Sequence, residues 1–150
     1  METYRICIEK YSTGLNASGK QRRWNFEGQF VIYTGSSRSL STLELIVYRK
    51  YIKPDVNYKV MVVSIADEDD LVTSLHTKDL PENWRTPEAY SNLQEIGSKW
   101  YRGKKTLVLK VPFAVIPKEY NYVINTNHKD FSKKVHLVRT EDFFWDKRLF

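Results

Sequence analysis

The chain has 150 residues, 41% hydrophobic and 14% aromatic, which supplies one domain with a core of its own and excludes a disordered segment. Its 24 Lys and Arg against 18 Asp and Glu leave a net charge of +6, a field that favours acidic partners: nucleic acid, phosphorylated small molecules or an acidic protein. Basic residues are interleaved with acids, and the doublets at 22–23, 104–105 and 133–134 lie far apart, so no continuous basic segment exists and direct nucleic-acid binding is not expected. Cys7 is alone, which excludes an internal disulfide and a thiolate metal cluster. The first ten residues carry no apolar leader and no run approaches the ~20 apolar residues of a membrane span, so a cytoplasmic protein with no membrane association is expected.

In chain order, residues 4–8 alternate and predict a first strand, with Cys7 as a small buried hydrophobe. The Ser, Gly and Asn-rich segment 11–20 predicts a loop that delivers Arg22 and Arg23 to the next strand, residues 30–33. "SLSTLELIVYRKYI" (39–52) predicts a helix ending before Pro54. Residues 58–66 are β-branched and give the strongest strand expectation. Thr86 followed by Pro87 predicts a helix N-cap, after which Ala89, Leu93, Ile96 and Trp100 fall at helical spacing and Gly103 closes the helix. Strands are expected at 106–111, 120–124 and 135–140. Roughly six strands and two or three helices, unevenly spread, define a single mixed α+β domain over 1–150.

Glu44 is the anomaly. Leu40, Leu43, Val47 and Tyr51 follow the rhythm of one buried stripe, and at about 100° per residue Glu44 projects roughly 40° from its centre. Two placements are open: a half-exposed carboxylate at the stripe's edge, or a buried one that needs a cationic or hydrogen-bonding partner. Arg23 is the candidate neighbour, because a short strand brings the loop before it and the helix after it to one region of the sheet. Arginine offers a fork for phosphate, Tyr33 a ring to stack on a base, and a carboxylate stabilises a positive sugar carbon; together they describe a dinucleotide cleft. His76, His128 and His136 show no metal spacing and are expected at the surface or an interface. No glycine-rich phosphate loop is present, and no His, Lys and Glu arrangement suggests a nuclease.

The run Arg23-Trp24-Asn25, then V-x-Y-T at 31–34 and S-L-x-x-L-E at 39–44, resembles the RES domain family, toxins named for an arginine, a glutamate and a serine. The resemblance continues through "YRI" (4–6), "LPENWR" (80–85), "IGSKW" (96–100), "LVLKVPFAVIPKEYNYVINTNHKDF" (107–131) and "FFWDKRLF" (143–150). It implies a fold like that of ADP-ribosyltransferases and depletion of NAD by glycohydrolysis or phosphorolysis, with a branch that ADP-ribosylates a protein. It also implies an Xre-type antitoxin whose C-terminal part blocks the NAD cleft, in a hetero-oligomer with the toxin. By the same resemblance Arg5 and Arg23 hold the NAD phosphates, Tyr33 lies by the nicotinamide side and Glu44 is the catalytic acid; NAD is substrate, and neither cofactor nor metal is implied. Phe113 stands where the family has its serine, which removes a hydroxyl and adds bulk to the cleft. The alternatives are therefore a catalytically impaired RES-fold binding module, or an ADP-ribosyltransferase acting on a protein target.

Overall fold

The computed structural model describes residues 1–150, apart from the Arg49 side chain. Seven strands form one mixed sheet: β1 (Glu2–Ile8), β2 (Val31–Gly35), β3 (Tyr58–Ile65), β4 (Val72–Ser74), β5 (Val108–Pro112), β6 (Tyr120–Asn125) and β7 (Val135–Phe143), in the order β4-β5-β6-β2-β1-β3-β7. Every pairing is antiparallel except β4 with β5. The three α-helices are α1 (Arg38–Ile46), α2 (Tyr90–Gly103) and the single turn α3 (Phe131–Lys134). The mixed α+β architecture is as expected. β4 went unread because a run of three residues is too short to show periodicity. No helix is long and apolar enough to cross a membrane.

The sheet is continuous on both sides of β1 and β2 but barely joined between them. β1 pairs with β3 along its whole length, Glu2 to Ser64 through Ile8 to Tyr58, and β2 pairs with β6 over five residues. Between β1 and β2 the register holds the one pair Tyr4 and Gly35. The two strands then diverge and leave a slot.

Alternation along the strands sorts the core. Ile6, Val60 and Val62 pack with Leu45 of α1, while Val31, Leu109, Val111 and Val123 pack with Trp24, Ala89 and Leu93 beside α2. On the opposite face Ile32, Met61, Val63, Ile65, Val108 and Ile124 form a third cluster, against which half-buried Cys7 packs.

α1 departs from its expected form. It stops at Ile46, and Leu40 and Ser41 are its buried residues, whereas Val47 and Tyr51 of the expected stripe are more than half exposed. The reason lies at the joint between β1 and β2. The Ser41 hydroxyl donates to the Tyr4 carbonyl at 2.8 Å, and a Cβ at Gly35 would stand 2.6 Å from that hydroxyl oxygen. A hydrogen bond and a missing side chain thus draw the helix down on Ser41, and Glu44, one turn on, comes with it.

At α2 the expected cap is also displaced. The Thr86 hydroxyl donates to the Asn83 carbonyl, and Pro87–Ala89 form a 3-10 turn ahead of the helix proper. Gly103 is the last helical residue, and Lys104 takes the left-handed conformation at φ 52° that glycine was expected to supply. Gly97, by contrast, requires its missing side chain: a Cβ there would lie 1.7 Å from the Trp24 carbonyl oxygen. Backbone against backbone leaves nothing flexible to yield. Gly97→Ala should therefore lower stability by about 2 kcal/mol or more and displace the segment carrying Arg22 and Arg23; an unchanged thermal midpoint would show that α2 can retreat freely.

Candidate active site

The segment around Trp24 is fixed from two sides. Toward the helix, Gln94 donates to the Arg22 carbonyl at 2.8 Å and Gly97 admits the Trp24 backbone. Toward the sheet, the Tyr33 hydroxyl donates to Asn25 Oδ1 at 2.5 Å and accepts from the Trp24 N–H at 3.2 Å. The buried Asn25 amide in turn donates to the carbonyls of Lys20, Phe26 and Gln29. A buried polar network satisfied this fully holds its loop in one shape. Arg22 and Arg23 are consequently presented from a rigid base.

Two cavities adjoin there. The first, about 710 Å³, lies between α1 and the start of α2 and is lined by Arg22, Arg23, Tyr33, Glu44, Tyr90 and Phe113 among others. The second, about 640 Å³, is the slot itself: residues 4–8 form one wall, residues 31–35 the other, and Arg5, Lys10 and Lys20 supply positive charge. Arg22, Tyr33, Glu44 and Asn121 line both. Glu44 is thus half-buried at the seam, which combines the two placements left open by periodicity.

Its partner is not Arg23 by direct contact. Asn121 Nδ2 donates to Glu44 Oε2 at 3.4 Å. Burial raises the Glu44 carboxyl above its ordinary value of 4.5, opposed by the Asn121 hydrogen bond and by the fields of Arg23 and Arg22. Arg23 donates to the Trp84 carbonyl at 3.0 Å and to the Tyr90 hydroxyl at 3.4 Å, and stacks 4.7 Å over the Tyr90 ring. Arg22 sits 5.7 Å from the Tyr33 ring centre. Arg5, in the slot, donates to the Asn16 carbonyl at 3.3 Å; burial lowers its pKa, the Cys7 thiol opposes that, and like-charged Arg22 adds to it. Among the described residues none of these three guanidiniums has a carboxylate within ion-pairing distance. Cations held by neutral groups in a cleft are poised for an anion.

Burial raises the Tyr33 phenol beyond the ordinary tyrosine range, and burial with a hydrogen bond to Tyr90 pushes Tyr48 up to about 12. Both stay neutral and act as rings and hydroxyls. Phe113 is 3% exposed and forms part of the first cavity's wall with Pro112 and Ala114. His128, expected at the surface or an interface, is buried within the chain: its Nδ1 accepts the Asp130 N–H at 3.1 Å, away from either cavity's lining. The structure therefore brings Arg23, Tyr33 and Glu44 to one cavity and Arg5 to the next. Sequence reasoning overlooked Arg22 in the site, visible only as a doublet, along with Tyr90 and Asn121, for which no spacing gave a signal.

The fold and site together define a mixed α+β domain with a cleft lined by arginines, tyrosines and the Glu44 carboxylate. The RES domain model matches residues 3–146, and the chain belongs to the RES domain family. A "Toxin Res" of Yersinia enterocolitica is 33% identical over 99% of both chains, and a "Toxin Res" of Photorhabdus laumondii is 30% identical over 99% of this chain and 97% of its own. The "Prs ADP-ribosylating toxin" of a Sphingobium strain is 28% identical over 91% of this chain and 85% of its own. In structure, a chain of the M. tuberculosis MbcT-MbcA toxin-antitoxin complex superposes with a TM-score of 0.77 at 16% identity, covering 95% of this chain and 84% of that one, a likeness of fold.

An acid whose pKa is raised on folding keeps its proton to higher pH in the native state than in the unfolded chain. Ionised Glu44 therefore costs stability above its folded pKa, and the cost vanishes below the unfolded value of 4.5. Glu44→Gln should raise the thermal midpoint at neutral pH, with the gain fading as pH falls through the carboxylate range; a variant less stable than wild type at neutral pH would show that the Asn121 and arginine contacts outweigh burial.

Proposed function

We propose that this chain is the toxin of a toxin-antitoxin pair and consumes NAD by cleaving its nicotinamide-ribose bond. The observation that carries the reading is the Glu44 carboxylate at the seam of two cavities that Arg5, Arg22 and Arg23 also line, none of the three guanidiniums having a described carboxylate within ion-pairing distance. The diphosphate of NAD meets that charge requirement, and its rings match the tyrosine-rich walls.

The chemistry asks little more of the protein. As the C1'-N bond breaks, its electron pair leaves with the pyridinium nitrogen, so nicotinamide departs neutral without a proton donor. Positive charge gathers on the ribose, and an ionised carboxylate fixed nearby stabilises it in the transition state. A lone pair from the acceptor then forms the new bond to C1', and the acceptor's proton passes to solvent. With water the product is ADP-ribose; with phosphate it is ADP-ribose 1''-phosphate. The Sphingobium relative named as an ADP-ribosylating toxin favours a second reading, in which the acceptor is a protein side chain. Exposed Val47, Tyr48 and Val115 at the first cavity's rim suit an antitoxin, of the Xre type by family resemblance, that covers the cleft.

Purified chain free of any antitoxin should release nicotinamide from NAD, and product mass with and without phosphate identifies the acceptor. Glu44→Gln should lower kcat by about 100-fold or more, and Arg23→Ala should act chiefly on KM, by about tenfold; turnover unchanged in both would remove the site assignment. The rate should fall with acidification along a limb above the ordinary carboxylate range, because the reactive form of Glu44 is the ionised one. Phe113→Ser tests the impaired-module alternative. It should raise activity if the phenyl ring blocks the cleft, and should cost about 3 kcal/mol of stability because the ring is buried. If folded wild type leaves NAD intact and labels no protein in lysate, the binding-module reading replaces the enzyme.

A further inference from the structure

The helix and the sheet approach the Glu44 carboxylate through different residues. From the helix side, Ser41 is pinned to the Tyr4 carbonyl, which fixes where the next turn begins. From the sheet side, Asn121 is the second residue of β6, where its Cα partners are Gly35 on β2 and Val111 on β5. Cross-strand partners share a face, so Asn121 and the bare Gly35 position lie together beneath α1. With no side chain at 35, the Asn121 amide reaches across the strand: its Oδ1 lies 3.5 Å from where a Gly35 Cβ would stand, and its Nδ2 meets Glu44 Oε2 at 3.4 Å. Among the described residues this is the side chain that hydrogen-bonds the carboxylate. The charged and titratable groups around it, Arg22, Arg23, Tyr33 and Tyr48, act on Glu44 through their fields.

We infer that Asn121 is a positioning residue, whose amide holds the Glu44 carboxylate ionised and aimed from the seam into the cleft. The inference rests on the NAD-cleaving reading for its kinetic consequence, though not for the contact. One amide hydrogen then points one carboxylate oxygen at the sheet and leaves the other free for the sugar. At 3.4 Å the bond is long, a length common for catalytic hydrogen bonds in a site without substrate. Because the donor favours the ionised form, its removal raises the Glu44 pKa further, on top of the rise burial already causes.

Two measurements separate this role from a merely structural one. In Asn121→Ala the acid limb of the kcat profile should move up by about one pH unit, kcat at neutral pH should fall by about 10- to 100-fold, and KM should change by less than about threefold. The Glu44 carboxyl, followed by its ¹³C resonance against pH with Glu44→Gln as the assignment control, should titrate higher by a similar amount. If Asn121→Ala fails to fold, Asn121→Asp keeps the shape, loses the donor and should shift the resonance further up through like charge. A limb and resonance unmoved in a folded variant overturn the inference. Should wild type not cleave NAD, the kinetic role falls with that reading, while the carbon titration still decides whether Asn121 holds Glu44.

Discussion

Everything at the cleft hangs on the joint where β1 and β2 meet at Tyr4 and Gly35. A sheet zipped fully at this point would have no slot; one not joined at all would have no fixed distance between its halves. Ser41 seals the joint from above by bonding the Tyr4 carbonyl, and it does so because Gly35 has no Cβ to fend it off. That one close approach sets the height of α1 over the sheet, and with it the height of Glu44. Substituting a side chain at 35 would lift the helix before it disturbed the strand.

The electrostatics follow from the same geometry. A carboxylate drawn into a seam loses water, and the fold tolerates it through one amide and the fields of two arginines. Those arginines are left without carboxylate partners, so the cleft carries surplus positive charge directed inward. Their supports are neutral: the Trp84 carbonyl, the Tyr90 ring and hydroxyl, and the Tyr33 ring. Neutral supports hold a guanidinium in place without quenching it, which a structural ion pair such as Arg38 with Glu141 at 2.8 Å does not do.

Much of the fold was legible because strand alternation and helical spacing are local. Residues 58–66 and the Ala89, Leu93, Ile96, Trp100 series announce β3 and α2 by composition and rhythm alone. The face of α1 was not legible, since Leu40, Leu43, Val47 and Tyr51 keep a helical rhythm that the Ser41 pin overrides from outside the helix. Lys104 in a left-handed conformation beside an available Gly103 shows the same limit at a helix end. In the cleft, Arg23, Tyr33 and Glu44 were readable as residue types suited to a dinucleotide. Asn121 was not, because its place depends on strand pairing with Gly35, and register between distant strands leaves no mark in a single sequence.

The Asn121 to Glu44 contact spans 77 positions, and the Arg38 to Glu141 pair that braces α1 against the last strand spans 103. During synthesis α1 is complete early and can meet Tyr4 of β1, yet its carboxylate has no hydrogen-bond donor until β6 exists and Arg38 has no carboxylate until β7 has docked on β3. Such non-local closure is slow compared with helix formation. A chain emerging from the ribosome therefore passes most of its growth without an assembled cleft, whose carboxylate waits for a strand made 77 positions later.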